Sequence, residues 1–388
     1  MTINTLPLSY CTNVHPGQTV AEVESGLREF TVPVRDNVGD LAAGLWLARS
    51  VVDELIKTDD ALDRFAETLH SARLTCYTLN TFPFGNFHDA RVKENVYLPD
   101  WASDARVQYT MDCARVLARL LPDDIAEGSL STVPLGFKPF DHADDFTDQC
   151  ADRLIDLAQS LAGIEAATGK KIRLAIEPEP FCIIETTPET LSFFSRLRER
   201  AADRDSLDVV TEYLGVCYDV CHQAVEFENV VDSIRELSAA SIRINKLHIS
   251  SAIRVERPGE NEDARQALAR YVEPRYLHQT MARLPDGSIS RMVDLTEDIA
   301  LDPDRAFGAA DEWRVHFHVP VNAESLGPLG TTRDDLKIAL AQIPALDYAP
   351  HLEIETYTWE VLPDGGRTAL VDGLTAEVNA TRELISEL

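Results

Sequence analysis

Four short segments place carboxylates and imidazoles where apolar runs end: IEPEP with Glu177 and Glu179, CYDVCH with Asp219 and His222, KLHISS with His248, and LEIETYT with Glu353 and Glu355. A charged or imidazole side chain inside a buried strand costs free energy unless it is paired or bound to a cation. Glu177 follows Arg-Leu-Ala-Ile and precedes Pro178, which holds the backbone before it extended and directs Glu177 out of the strand end. Glu179 competes with it for that role. Asp219 and His222 have the spacing of a strand-end carboxylate followed by a loop imidazole. A lone histidine such as His248 is usually a hydrogen-bonded core residue, but three such polar sites on successive strands reverse that expectation. Glu355 completes the set, and Glu353 shares its parity, so one of the two points deeper or meets a cation there. Glu177, Asp219, His248 and Glu355 together offer three carboxylates and one imidazole, a mixture that suits Mn²⁺, Mg²⁺, Co²⁺ or Zn²⁺ with positions left open for substrate.

Such groups converge only if the strands carrying them share one mouth. Apolar or β-branched runs alternate with amphipathic stretches along the whole chain, the pattern of βα units and a parallel sheet. Strands are predicted at 6–13, 44–48, 73–80, 129–134, 172–177, 214–219, 246–251, 313–320 and 352–356, one more than an eight-stranded barrel needs. The stretch 254–312 is polar and irregular and reads as an insertion after strand seven. The segment WRVHFHVPV then belongs to that loop, arching back over the mouth. Helical spacing marks 148–168, Thr187 is the expected N-cap before Pro188, and 370–388 is the closing helix. The predicted architecture is a single (β/α)8 TIM barrel over 1–388, with the active site at the C-terminal ends of its strands.

The 388 residues are 45% apolar, enough for a large core, and carry a formal charge of −29. That acidity repels a phosphate backbone, so no nucleic acid is expected as partner. Seven scattered cysteines without a CxxC pair suggest neither a disulfide framework nor a zinc knuckle and point to a reducing cytoplasm. There is no basic, apolar N-terminal leader and no run of roughly 18 apolar residues, so neither targeting nor membrane insertion is expected.

The order Glu, Asp-x-x-His, His, Glu on strands five to eight resembles the xylose isomerase-like superfamily of sugar isomerases and epimerases. More narrowly, LSYCTNVHPG, TLNTFPFG, RVKENVYLPDW, STVPLGFKP, EPEP, CYDVCHQAV, EPRYLHQ, WRVHFHVP and LEIETYTW resemble the EboE-like metabolite-traffic proteins within it. The superfamily implies a metal on Glu177, Asp219, His248 and Glu355, with His222 beside the substrate and the two glutamates exchanging protons on either face of an enediolate. The narrower group implies a gene cluster handling a small metabolite and no settled reaction. His316 and His318 resemble instead an extra ligand-bearing loop of the apurinic endonuclease branch. At i and i+2 in extended structure both face one way, which would let His318 join a metal site and His316 a substrate or a second ion.

Lesser candidates for substrate contact are His15, Asn80 and Lys246, with Arg254 bracketing strand seven and Phe82, Phe84 and Phe87 forming an apolar wall. The expected ligand is a small polyhydroxylated metabolite, and barrels of this superfamily imply pairing into a homo-oligomer. Three readings follow: a metal-dependent isomerase or epimerase of a sugar or cyclitol, a metal-dependent hydrolase, or a non-catalytic metabolite-binding barrel. A carboxylate pair spanning the pocket favours chemistry over carriage.

Overall fold

The computed structural model describes residues 6–363 and 367–388. Its strands are β1 (Ser9–Cys11), β2 (Ala42–Trp46), β3 (Thr78–Asn80), β4 (Glu127–Thr132), β5 (Lys171–Ile176), β6 (Leu214–Asp219) and β7 (Ile244–Ile249). There follow β8 (Ile253–Glu256), β9 (Thr280–Arg283), β10 (Ile289–Met292), β11 (Glu312–Val315), β12 (Ser325–Leu326), β13 (Leu329–Thr331) and finally β14 (His351–Ile354). The first seven and the last close into a parallel barrel in the order β1-β14-β7-β6-β5-β4-β3-β2. Helices between successive barrel strands cover their outer faces, so the fold is the expected (β/α)8 barrel. The apolar runs are continuous rather than alternating because these strands are buried on both sides.

Local signals locate the helix ends. Phe146–Thr168 stops at Gly169, whose positive φ of 72° is a conformation that only glycine adopts without strain. The helix after β5 begins one residue earlier than the sequence suggested: Thr186, not Thr187, is the N-cap, closing a capping box with Glu189, and Pro188 takes the second helical position.

The insertion after β7 is not irregular. Strands β8 to β13 form a second sheet in the order β10-β9-β11-β8-β13-β12, with antiparallel pairings from Ile253 to Thr331. It therefore extends past the expected 254–312. Trp313, Val315 and Phe317 pack with Ile253, Val255 and Leu268 in a core of its own, and Trp313 Nε1 donates to the Phe307 carbonyl at 2.9 Å. Segment 313–320 thus leaves the barrel, as read from the sequence: its first part is β11, and His316 to Pro320 cross back to the mouth. That path is fixed by Val319 N donating to Ser251 O at 2.9 Å.

Candidate metal centre

Register aligns the chemistry. Asp219 on β6 and Glu353 on β14 both stand opposite His248 on β7, so the three side chains share one inward-facing layer. Glu177 and Glu355 lie one residue beyond β5 and β14, yet their backbone N–H groups still bond Thr132 O and Ile249 O, which carries both carboxylates to the mouth. The four expected ligands meet: one ligand atom each from Glu177, Asp219, His248 and Glu355 falls within 4.8 Å of the others. All four are buried.

His248 sits at the centre. Its Nδ1 is 3.0 Å from Glu177 Oε1, 3.1 Å from Glu355 Oε2 and 3.3 Å from Asp219 Oδ2. One imidazole nitrogen cannot donate to three carboxylates at once, and Glu177 Oε2 and Asp219 Oδ2 are left buried without a hydrogen-bond partner. Burial works against charge on His248, but Cys217, Glu177 and Glu355 around it hold the imidazole well above its ordinary range. The proton on Nδ1 does the work of a cation among three acids. A divalent ion fits this donor set better, because it satisfies every orphaned oxygen.

Neighbours hold each ligand in place. Asp219 Oδ1 accepts from His222 N at 2.9 Å and Ser250 Oγ at 2.8 Å, leaving Oδ2 for the centre. Glu355 Oε1 accepts from Asn13 and Asn80, both at 2.9 Å, leaving Oε2. Behind His248, Nε2 lies 3.2 Å from Glu353 Oε2, and that carboxylate pairs with Lys246. Glu353 is thus the deeper of the two glutamates, and Gly44 makes the room: a Cβ there would fall 1.5 Å from Glu353 Oε1.

A second cluster borders the first. His222 Nδ1 is 3.0 Å from Pro178 O, His318 Nδ1 is 2.8 Å from Glu355 O, and His316 Nδ1 is 2.8 Å from Gln279 Oε1. These acceptors fix the proton on Nδ1 in each ring and turn the Nε2 lone pairs inward. Nε2 of His316 and of His318 is buried and unpartnered. Asp219, His222 and His318 form one group with metal-ligand spacing, and Glu179, His222 and His316 another. Glu179 accepts from Tyr97 Oη at 2.6 Å. Burial, with Glu177, Asp219 and Glu355 nearby, keeps its carboxyl well above the usual carboxylate range. Of the two glutamates in IEPEP, Glu177 reaches the four-ligand set and Glu179 the histidine cluster.

Two expected substrate contacts lie elsewhere. Lys246 is buried beneath His248, bound to Glu353 and Ser131, because an ammonium inside the barrel needs a counter-charge more than the pocket needs a cation. His15 stacks on Phe30 and bonds Tyr10 Oη at 2.8 Å, beside a separate surface cleft. Arg254 pairs with Glu256 and Glu312 on the insertion. Asn80 and His316 do line the pocket above the carboxylates, as do Phe82 and Phe87, whereas Phe84 packs on Tyr109. The sequence reading overlooked Asn13, Tyr97 and Gln279. Each stood inside a segment already singled out, two residues from the chosen His15 in the first case.

No family model matches the chain, and no curated protein does. Among solved structures, a xylose isomerase-like TIM barrel protein from Mycobacterium smegmatis in complex with magnesium is 13% identical, with TM-score 0.49, covering 97% of this chain and 99% of its own. The probable 3-DHS dehydratase AsbF from Bacillus anthracis is also 13% identical, with TM-score 0.47 and the same coverage. D-allulose 3-epimerase from Methylomonas sp. is 14% identical, with TM-score 0.41, over 64% of this chain and 74% of that one.

Proposed function

We propose that this chain is a single-domain, divalent-metal-dependent isomerase or epimerase acting on a small polyhydroxylated carbonyl compound, a sugar or cyclitol. The observation that carries the reading is the meeting of Glu177, Asp219 and Glu355 around His248 Nδ1, with carboxylate oxygens left unpartnered. Those four residues would hold Mn²⁺, Mg²⁺, Co²⁺ or Zn²⁺, and such an ion polarises a carbonyl so that the adjacent C–H loses its proton more readily. Glu177 and Glu355 come from β5 and β14, separated in the barrel by β6 and β7, and both line the pocket, where they could exchange protons with a bound substrate. Against burial, His248 holds Glu355 as a carboxylate, and Asn13 and Asn80 fix its Oε1. His222 lines the same pocket, where it would orient a substrate oxygen.

The finer reading of an EboE-like protein serving metabolite traffic rests on the segments quoted from the sequence, a cytoplasmic location rests on the scattered cysteines, and pairing into a homo-oligomer rests on the resemblance to the superfamily. Among the described residues, no helix is long and apolar enough to cross a membrane.

A hydrolytic reading is favoured by one observation, the inward Nε2 atoms of His316 and His318 beside Asp219. The net charge of −29 disfavours nucleic acid as its substrate.

The test is metal content and metal-dependent thermal stabilisation of the wild type beside a Glu177→Ala, Asp219→Ala double variant. Stoichiometric metal that disappears with those carboxylates supports the centre, and proton exchange into ketoses and cyclitols then separates isomerase from hydrolase. A wild type that takes up no divalent ion overturns the reading.

A further inference from the structure

The pocket above the carboxylates concentrates its polar capacity at one end. Glu177 Oε2, Asp219 Oδ2, Asn13 Oδ1 and Nε2 of His316 and His318 are buried without partners, and they gather at the metal end. Away from that end, Gln279, Tyr276 and Asn80 are already committed. Gln279 spends its Nε2 on Tyr97 Oη at 2.7 Å and its Oε1 on His316. Tyr276 Oη donates to Phe87 O at 3.1 Å. Asn80 uses its Nδ2 on Glu355 and its Oδ1 on Phe82 N. Phe82, Pro83, Phe87, Val96 and Leu277 add no side-chain polar atom to the wall, and the Tyr357 ring packed on Phe87 and Tyr276 adds a single hydroxyl.

Charge narrows the ligand further. Lys93 supplies the one ammonium or guanidinium among the described lining residues. Its three N–H bonds go to Tyr276 O at 2.6 Å, Asp294 Oδ2 at 2.8 Å and Glu273 O at 3.2 Å, leaving none for an anion. Glu177, Glu179 and Glu355 line the same space. Away from the proposed ion, a phosphate or carboxylate on the substrate would meet no free cation, and the acids repel it.

We infer that the pocket takes an uncharged ligand with adjacent oxygens at one end and an apolar body, alkyl or aryl, at the other. This rests on the proposed metal centre for the polar end and names the substrate class more narrowly than a free or phosphorylated sugar. Hydroxyls placed at the far end would press on that wall without partners, whereas an apolar substituent gains there by leaving water.

The experiment measures binding of three probes to the metal-supplemented full chain by calorimetry: methyl β-D-glucopyranoside, hexyl β-D-glucopyranoside below its micelle concentration, and D-glucose 6-phosphate. Metal content is read on the same sample. The expected result is that the hexyl glucoside binds at least tenfold more tightly than the methyl one and that glucose 6-phosphate does not bind. Leu277→Asn and Val96→Asn, each made singly at half-buried wall positions, should each erase most of the hexyl advantage. Equal affinities for the two glucosides, no binding of the hexyl glucoside, or measurable binding of glucose 6-phosphate overturns the inference, whatever the metal content. Absence of metal alongside a hexyl preference sinks the metal centre and leaves the inference about the wall standing.

Discussion

Replacing Glu353 by glutamine should separate what the buried ion pair does for stability from what it does for the metal centre. The side chains of Lys246 and Glu353 are both fully buried, and besides Glu353 the ammonium bonds Ser131 Oγ at 3.2 Å. Burial opposes the charge on each, but each holds the other ionised. Removing one charge from such a pair typically costs about 3–5 kcal/mol, because the survivor is stranded. Unfolding entropy of about 2.1 cal/mol/K per residue gives roughly 0.8 kcal/mol/K for 388 residues, so Tm should fall by about 4–6 °C. The double variant Lys246→Met, Glu353→Met removes both charges at similar volume and should recover most of that loss. Metal affinity should behave differently. His248 Nε2 loses its carboxylate partner in both variants, and loss of such a partner typically weakens binding about 10- to 100-fold. Thermal unfolding of the metal-free proteins and calorimetric titration with Mn²⁺ or Zn²⁺ give the two readouts. A double variant as unstable as the single one refutes the stranded-charge argument, and wild-type affinity in either refutes the positioning argument.

Gly44→Ala should act on the same spot from β2: its Cβ would displace Glu353, and overpacking of this kind costs about 1–3 kcal/mol, readable in denaturant unfolding. Because His248 is held protonated without an ion, metal uptake at pH 7 should release at least one proton and the affinity should rise with pH; a titration in weak buffer that shows no proton release contradicts this. His316→Ala with His318→Ala should leave one ion on the four-ligand set and abolish any second, as counted by elemental analysis. Burial, with Glu185 beside it, pushes the Glu226 carboxyl up to about 8 despite Arg291. The folded state therefore keeps a proton that the unfolded chain gives up near pH 4.5, and stability falls as pH rises from there to about 8, then levels. Glu226→Gln should flatten that slope, by an upper bound of about 5 kcal/mol at pH 9, in melts run across pH.

The barrel was legible because short apolar or β-branched runs alternate with amphipathic helices along the whole chain, and the ligands cluster toward the C-terminal ends of those runs. β6 falls on its predicted residues, while β2 begins two residues early, since Ala42 and Ala43 carry no β-branched signal. The insertion was not legible for the opposite reason. β10 is partly exposed throughout, and β9, though buried at Thr280, Met281 and Ala282, is only four residues of mixed polarity, so TMAR and ISRM read as polar loop. The parity of His316 and His318 was readable, and Phe317 between them turns into the insertion's own core as the alternation requires. Glu353 and Glu355 share a parity too, and only register against His248 and the space at Gly44 separates their depths. Lys246 looked like a substrate contact because nothing in the sequence tells a buried cation from an exposed one.

The histidines and carboxylates at the mouth are anchored in two different hydrophobic cores. Glu177, Asp219, His248 and Glu355 hang from the barrel, whereas His316 and His318 follow a strand of the smaller sheet built around Trp313. The smaller core can open as a cooperative unit at lower free energy than the whole chain. During each such excursion the molecule would keep one cluster assembled while the other came apart. Backbone amides of β8 to β11 should therefore exchange with solvent faster than those of β5 to β7, and a ligand bridging the two clusters would slow that exchange by tying the two openings together.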